Sequence, residues 1–341
     1  MKWLYILLTL WIVLFLSGSA FTQPAEFEQL VQEGIELHDK GEYKEAIKRY
    51  EQALRISKND PYANYELALT YFTMGDYKKA EKVSKIVLKE QNDFYLAGAI
   101  INGSALDEMG KPKKAIQVYE KALELYPENH LLNYNAAVTY NRLKKYDLAQ
   151  ERLVSSITMN NLHASSHFLL GEVMFNKNAK VKTMLPLYVG LLIEPTSERS
   201  VTNMDLLIST MFQGIQKKGE KRIEVNLFAS LSGDKNEFSS IEMMLSLLTA
   251  AEIGMDTLNT SDAQKFVSIS KQLFHYLSDM KDTSNSFWWN TYGNLLTDIH
   301  KNDYSDVFAY YISQSYWEES GTWLETNEAK LDSLFNWLNE E

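Results

Sequence analysis

The chain has 341 residues, 45% hydrophobic and 23% charged, with a net charge of −11 and no cysteine. This composition excludes wholesale disorder and a many-span membrane protein; the missing thiol excludes disulfides, thiolate metal sites, a cysteine nucleophile and a lipid-modified N-terminal cysteine. Residues 1–197 carry 23 basic and 23 acidic side chains, whereas 198–341 carry 11 against 22. An acidic surface without a basic stripe repels phosphate backbones, so nucleic acid is not an expected partner.

Lys2, the apolar run from Trp3 to Leu16, and then Ser17-Gly18-Ser19-Ala20 follow the order of a Sec-type signal peptide over 1–20. Cleavage after Ala20, or at a second site before Gln23, predicts a mature protein in the periplasm or outside the cell, and not a lipoprotein. Left uncleaved, the segment nearly reaches bilayer-spanning length, and only then is membrane association expected.

Four short stretches then recur: Tyr43-Lys44-Glu45-Ala46, Tyr77-Lys78-Lys79-Ala80, Pro112-Lys113-Lys114-Ala115 and Tyr146-Asp147-Leu148-Ala149. Their alanines stand 34, 35 and 34 residues apart. At that period the chain divides into 27–60, 61–94, 96–129, 130–163 and a divergent 164–197, with Tyr95 inserted. One position in each unit is small: Gly34, Ala68, Gly103, Ala137 and Gly171. Such residues let two helices approach closely, and Ala46, Ala80, Ala115 and Ala149 serve the facing helix. Leu37, Tyr71, Leu106, Tyr140 and Met174 fill the space one turn on. Gly41, Gly75 and Gly110 sit where a left-handed turn residue is wanted, and Pro127 and Pro195 close second helices. In the fifth unit Thr183 replaces the alanine and Lys180 the tyrosine.

The period, the small-residue pair and the closing proline resemble the tetratricopeptide repeat. The resemblance implies an all-α solenoid of about five helix-turn-helix repeats over 27–197. It also implies a non-enzymatic scaffold or adaptor of the cell envelope that holds a protein or peptide segment in a groove lined by the first helices. Carrying the family's groove positions onto this sequence selects Tyr62, Tyr65 and Phe72 in the second repeat, Tyr134, Asn141 and Arg142 in the fourth, and Phe168 in the fifth. The fifth position of each repeat is Val31, Tyr65, Ile100, Tyr134 or Phe168, without a lysine, which disfavours a carboxylate clamp.

Beyond 197 the period fails, and 198–341 is expected to be an acidic, Trp-rich, mostly helical domain. Apolar residues recur at helical spacing in Leu206, Leu207, Thr210, Met211 and Ile215, and again in Met243, Met244, Leu247, Leu248 and Ala251. Arg222 to Ala229 alternates like a strand but has no evident partner; Lys217–Arg222 and Ser232–Asn236 read as turns. Trp288, Trp289, Trp317, Trp323 and Trp337 crowd the last 60 residues, as a compact aromatic core would. Ser286 to Tyr292 reads as a buried helix or a contact with the repeats, and the domain as a cap on the end of the stack. The alternative function is ligand or glycan binding by exposed tryptophans in a cleft, with the repeats as presenting scaffold.

Sequence features of catalysis are weak. His163 and His167 are four apart but lack a third ligand, so no metal and no cofactor is expected. No phosphate loop, dinucleotide fingerprint or nucleophile elbow occurs. Glu318 and Glu319 would point apart on a helix, and the sequons at Asn102 and Asn259 are discounted, the first because it lies within a helix.

Overall fold

A computed structural model of the chain describes residues 24–218, 223–225, 237–254, 260–280 and 285–340. The predicted signal peptide, the Asn259 sequon and the 232–236 turn lie outside these. The chain forms two compact units, one ending at Leu143 and the other running from Lys144.

The first unit comprises α1 (24–39), α2 (Tyr43–Ile56), α3 (Pro61–Thr73), α4 (Tyr77–Val87), α5 (Tyr95–Glu108), α6 (Pro112–Leu123) and α7 (His130–Arg142). Successive helices pair, and the first helices of adjacent repeats also touch, α3 with α5 and α5 with α7. Side-chain caps set several starts: Asp60, Asp76 and Asn129 accept the backbone N–H of Ala63, Lys79 and Leu132, satisfying donors a helix leaves orphaned. Helix pairs meet at the predicted small residues. A Cβ on Gly34 would come within 2.4 Å of the Tyr50 ring, and one on Gly103 within 2.3 Å of the Tyr119 ring. Ala46, Ala68, Ala80, Ala115 and Ala137 are wholly buried.

Polar ties recur with the repeat. Buried Asn64 donates to the Lys58 and Asp60 carbonyls, and Asn133 to those of Pro127 and Asn129. The His38 ring meets Thr70 Oγ1 at 2.7 Å, and Thr139 Oγ1 donates to Asp107 at 3.0 Å, each joining one first helix to the next. Asn102 of the discounted sequon is buried and donates to the Glu81 carbonyl and Ser84 Oγ.

Gly41, Gly75 and Gly110 take the left-handed conformation, with φ of +77°, +79° and +69°. At the same station of the last two repeats stand Lys144 and Asn178, with φ of 56° and 57°. The turn geometry thus persists where the glycine does not.

The second unit holds α8 (Tyr146–Met159), α9 (Ala164–Asn176), α10 (Lys180–Ile193), α11 (Glu198–Met211), strands β1 (Ile215–Lys217) and β2 (Ile223–Val225), α12 (Ser239–Gly254), α13 (Asp262–Asp279), a π-turn at Trp289–Gly293, α14 (Asn294–Lys301), α15 (Ser305–Ile312), α16 (Glu318–Thr326) and α17 (Glu328–Glu340). Here α9 and α10 pair as a fifth repeat, with Gly171 against Leu187. The hub is α10, apolar all round as a buried helix must be. Tyr188 is fully buried among Phe266, Phe274 and Phe308, and its hydroxyl meets Ser270 Oγ at 2.8 Å.

Two sequence expectations change. The helix expected to include Ile215 ends at Met211; Gly214 turns the chain at φ +83°, and Ile215 opens β1. That strand is the partner the 222–229 segment lacked: Ile215, Gln216 and Lys217 pair antiparallel with Val225, Glu224 and Ile223. The helix expected around Met243 to Ala251 forms as α12; its Met243, Met244 and Leu247 face outward at 40%, 38% and 49% exposure, while Glu242 and Ser246 are buried beside Ile241 and Leu245. The reason lies in α10. Its second N–H, on Val181, is an orphan donor that Glu242 accepts at 3.1 Å, and Lys180 Nζ reaches Ser246 Oγ at 3.2 Å. Lys180, standing where the repeat has tyrosine, is so enclosed that burial draws its pKa down to about 8.

Candidate peptide-binding surface

In the first unit, Tyr62 and Tyr65 project from successive turns of α3, and both lean on Phe94, which precedes α5. The Tyr62 and Phe94 rings stack at 4.9 Å, and Tyr65 and Phe94 at 5.7 Å. All three are half-buried, so each keeps an accessible part. Phe94 escaped the sequence reading because it lies in the connection between repeats; its aromatic character, next to the inserted Tyr95, was the available signal.

Glu66 follows on the same helix. Burial, and then the like charge of Asp39 at the end of α1, raise its pKa to about 7. The pKa of each neighbouring phenol, Tyr62 and Tyr65, rises mainly by burial and then through Glu66.

The other predicted groove residues do not join this patch. Phe72, half-buried, packs on Tyr77 of its own repeat at 5.4 Å. Tyr134 and Asn141 are half-buried on α7. Arg142 turns back to α5, donating to the Asp107 carbonyl and to Glu108 Oε1 and pairing with the Asp107 carboxylate at 3.4 Å. It therefore ties two first helices together. Asp107 is 4% exposed, and burial raises its pKa even though Thr139 and Arg142 pull it down.

Phe168 lies in the second unit and is only 6% exposed. Its ring packs where a Cβ on Gly190 would stand 2.6 Å away, and the Arg199 guanidinium covers it. Its place at the α9–α10 contact consumes the surface a partner would need.

His163 and His167 each have protein partners. His163 Nδ1 meets Ser166 Oγ at 2.7 Å. Fully buried His167 faces the Tyr292 hydroxyl through Nδ1 at 2.9 Å and the Asn161 carbonyl through Nε2 at 2.8 Å. Because a carbonyl only accepts, Nε2 carries the proton and Tyr292 donates to Nδ1. Burial first, with His163 adding to it, lowers the His167 pKa to about 4. This bond is the contact between the Ser286–Tyr292 segment and a repeat helix. Among the described residues no cluster of three or more histidines and carboxylates could hold a metal ion.

The tryptophans are engaged in packing. Trp288 and Trp289 are buried; Trp317, Trp323 and Trp337 are half-buried against Phe266, Tyr310 and Tyr304. A groove of about 1060 Å³ in this unit is lined by Leu162, Phe287, Asn290 and Phe335 among others, with no tryptophan among its described lining.

Antiparallel helix pairs recurring every 34 or 35 residues, joined by repeated polar ties, define an α-solenoid of interaction-repeat type. Sequence-family models described as TPR repeat and tetratricopeptide repeat match residues 34–75, 61–93 and 108–157. The chain is a tetratricopeptide repeat protein. Among curated relatives it is 26% identical over 156 residues to the BBSome complex member BBS4 of Bos taurus, covering 46% of this chain and 30% of that one. It is 25% identical over 149 residues to the Hsp70-Hsp90 organising protein of Plasmodium falciparum, covering 42% of this chain and 25% of that one. The chain thus spans less than a third of the length of either relative. Similar solved structures include a thermophilic TPR protein of Thermus thermophilus, with a TM-score of 0.46 and 20% identity over 53% of this chain and 99% of that one. Another is pilF of Pseudomonas aeruginosa, with a TM-score of 0.48 and 19% identity over 56% of this chain and 91% of that one.

Proposed function

We propose that the chain is a non-enzymatic protein-interaction scaffold that holds an extended or helical partner segment on the first-helix face of its first unit. The working patch is Tyr62, Tyr65 and Phe94. The observation that carries this reading is the patch itself, three aromatic rings gathered on one face and left half-open. Aromatic side chains of this kind dominate recognition energies, because they bury much area at little entropic cost. The second unit is built around α10, and its tryptophans hold its own helices together. Export by the N-terminal segment would place the scaffold in the cell envelope or outside the cell; amino-terminal sequencing of the mature protein, expected to begin at Phe21, tests that part.

The binding reading is tested by affinity capture from the protein's own cells with the full mature chain, quantified against a Tyr65→Ala/Phe94→Ala double variant. Both changes lie at half-exposed positions, so the variant should keep its helical circular dichroism. A partner enriched by the native chain and lost with the folded variant supports the patch. Equal capture by both moves the working surface elsewhere.

A further inference from the structure

We propose that the aromatic patch receives one cationic side chain of the bound segment, a lysine or arginine, with Glu66 as its counter-charge. The inference rests on the first-helix face being the binding surface and specifies what that surface selects.

Glu66 lacks the ion pair that the other shielded carboxylates of the first helices in this unit make. Glu33 is neutralised by Arg49 at 3.1 Å, and Asp107 and Glu108 share Arg142 at 3.4 and 3.2 Å. Glu66 is half-buried, yet the charge acting on it is another acid, Asp39. A carboxylate that has lost much of its water and gained no cation is held in an unfavourable state, which an incoming cation relieves.

The surroundings suit a cation and not a neutral or acidic group. Tyr62 and Tyr65 precede Glu66 on α3, and where they are not stacked on Phe94 they supply ring faces, whose negative quadrupole attracts ammonium or guanidinium. Beneath them lies Tyr50, fully buried, near enough to Glu66, Tyr62 and Asp39 for all three to act on it, with Thr70 beside its hydroxyl. An anionic partner would meet Glu66 and Asp39 as like charges.

The test is selection from a randomised pool of capped decapeptides on the immobilised full mature chain, with the bound fraction sequenced. Lysine and arginine should be enriched about threefold or more at one position. Glu66→Gln should abolish the enrichment, Asp39→Asn should weaken it, and Glu66→Lys should turn the preference toward acidic residues, each variant retaining native circular dichroism. Peptides captured through Tyr65 and Phe94 without a basic preference, or with one that survives Glu66→Gln, overturn this proposal and leave the binding surface standing. Failure to capture any peptide overturns both.

Discussion

Replacing Glu66 by glutamine should stabilise the protein, and should do so more at high pH than at low. The carboxyl has an ordinary pKa of 4.5 and one of about 7 in the folded chain. The folded state therefore binds more protons than the unfolded state between those values. Stability contributed by the protonated group is fully present below the lower pKa and is lost as pH rises through the upper one. At about 1.4 kcal/mol per pKa unit, the full shift corresponds to roughly 3 kcal/mol of penalty above pH 7. Solvent screening of a half-buried group reduces that to about 1–2 kcal/mol. Glutamine keeps the shape and cannot ionise, and the structure gives the Glu66 side chain no hydrogen bond that the change would break. Urea unfolding followed by circular dichroism should show the variant more stable by about 1–2 kcal/mol at pH 8, and by only a few tenths at pH 5. A variant that is less stable at pH 8, or one whose gain is the same at both pH values, would refute the reasoning.

His167 should give the opposite trend. Its pKa is lowered to about 4, so its contribution is present above pH 6.5 and is lost as pH falls, by as much as about 3 kcal/mol at pH 4; His167→Gln should flatten the acid limb of a stability–pH curve. Tyr292→Phe removes the donor to His167 Nδ1 and should cost about 1–2 kcal/mol in the same unfolding assay. Gly103→Ala puts a methyl group 2.3 Å from the Tyr119 ring, and the overpacking should cost about 1–3 kcal/mol. Lys144→Gly relieves a left-handed turn and should raise stability by up to about 1 kcal/mol, read as a higher melting temperature. Arg142→Ala should cost about 1–3 kcal/mol, because it leaves buried Asp107 without its cation.

The repeats were legible because their determinants are local. A glycine or alanine where helices must touch, and an acid or asparagine at a cap, recur at a fixed period with little help from distant residues. That logic stops where a distant residue decides the outcome. The burial of Glu242 and Ser246 in α12 follows from a need created about sixty residues earlier, the bare N–H of Val181 and the ammonium of Lys180, which no periodicity within α12 reveals. The hairpin was half-read: alternation marked one strand, but its three-residue partner lay inside what looked like helical spacing.

The candidate site divided along similar lines. Tyr62 and Tyr65 were found because groove positions follow from repeat register. Phe94 lies outside that register. Arg142 and Phe168 occupy correct positions but are drawn into tertiary contacts, with Asp107 and Glu108 in one case and with Gly190 and Arg199 in the other. The state of Glu66 depends on Asp39, one repeat earlier, and on the absence of any nearby cation among the groups that act on it.

The central claim, that the face bearing Tyr65 is the working surface, is tested most directly by photo-crosslinking in the cell. A photoreactive amino acid would replace Tyr65, with the exposed second-helix residue Lys48 as the control. One discrete protein captured from Tyr65 and not from Lys48 is the predicted result. Equal capture from both positions, or none from Tyr65 in a folded chain, would contradict it.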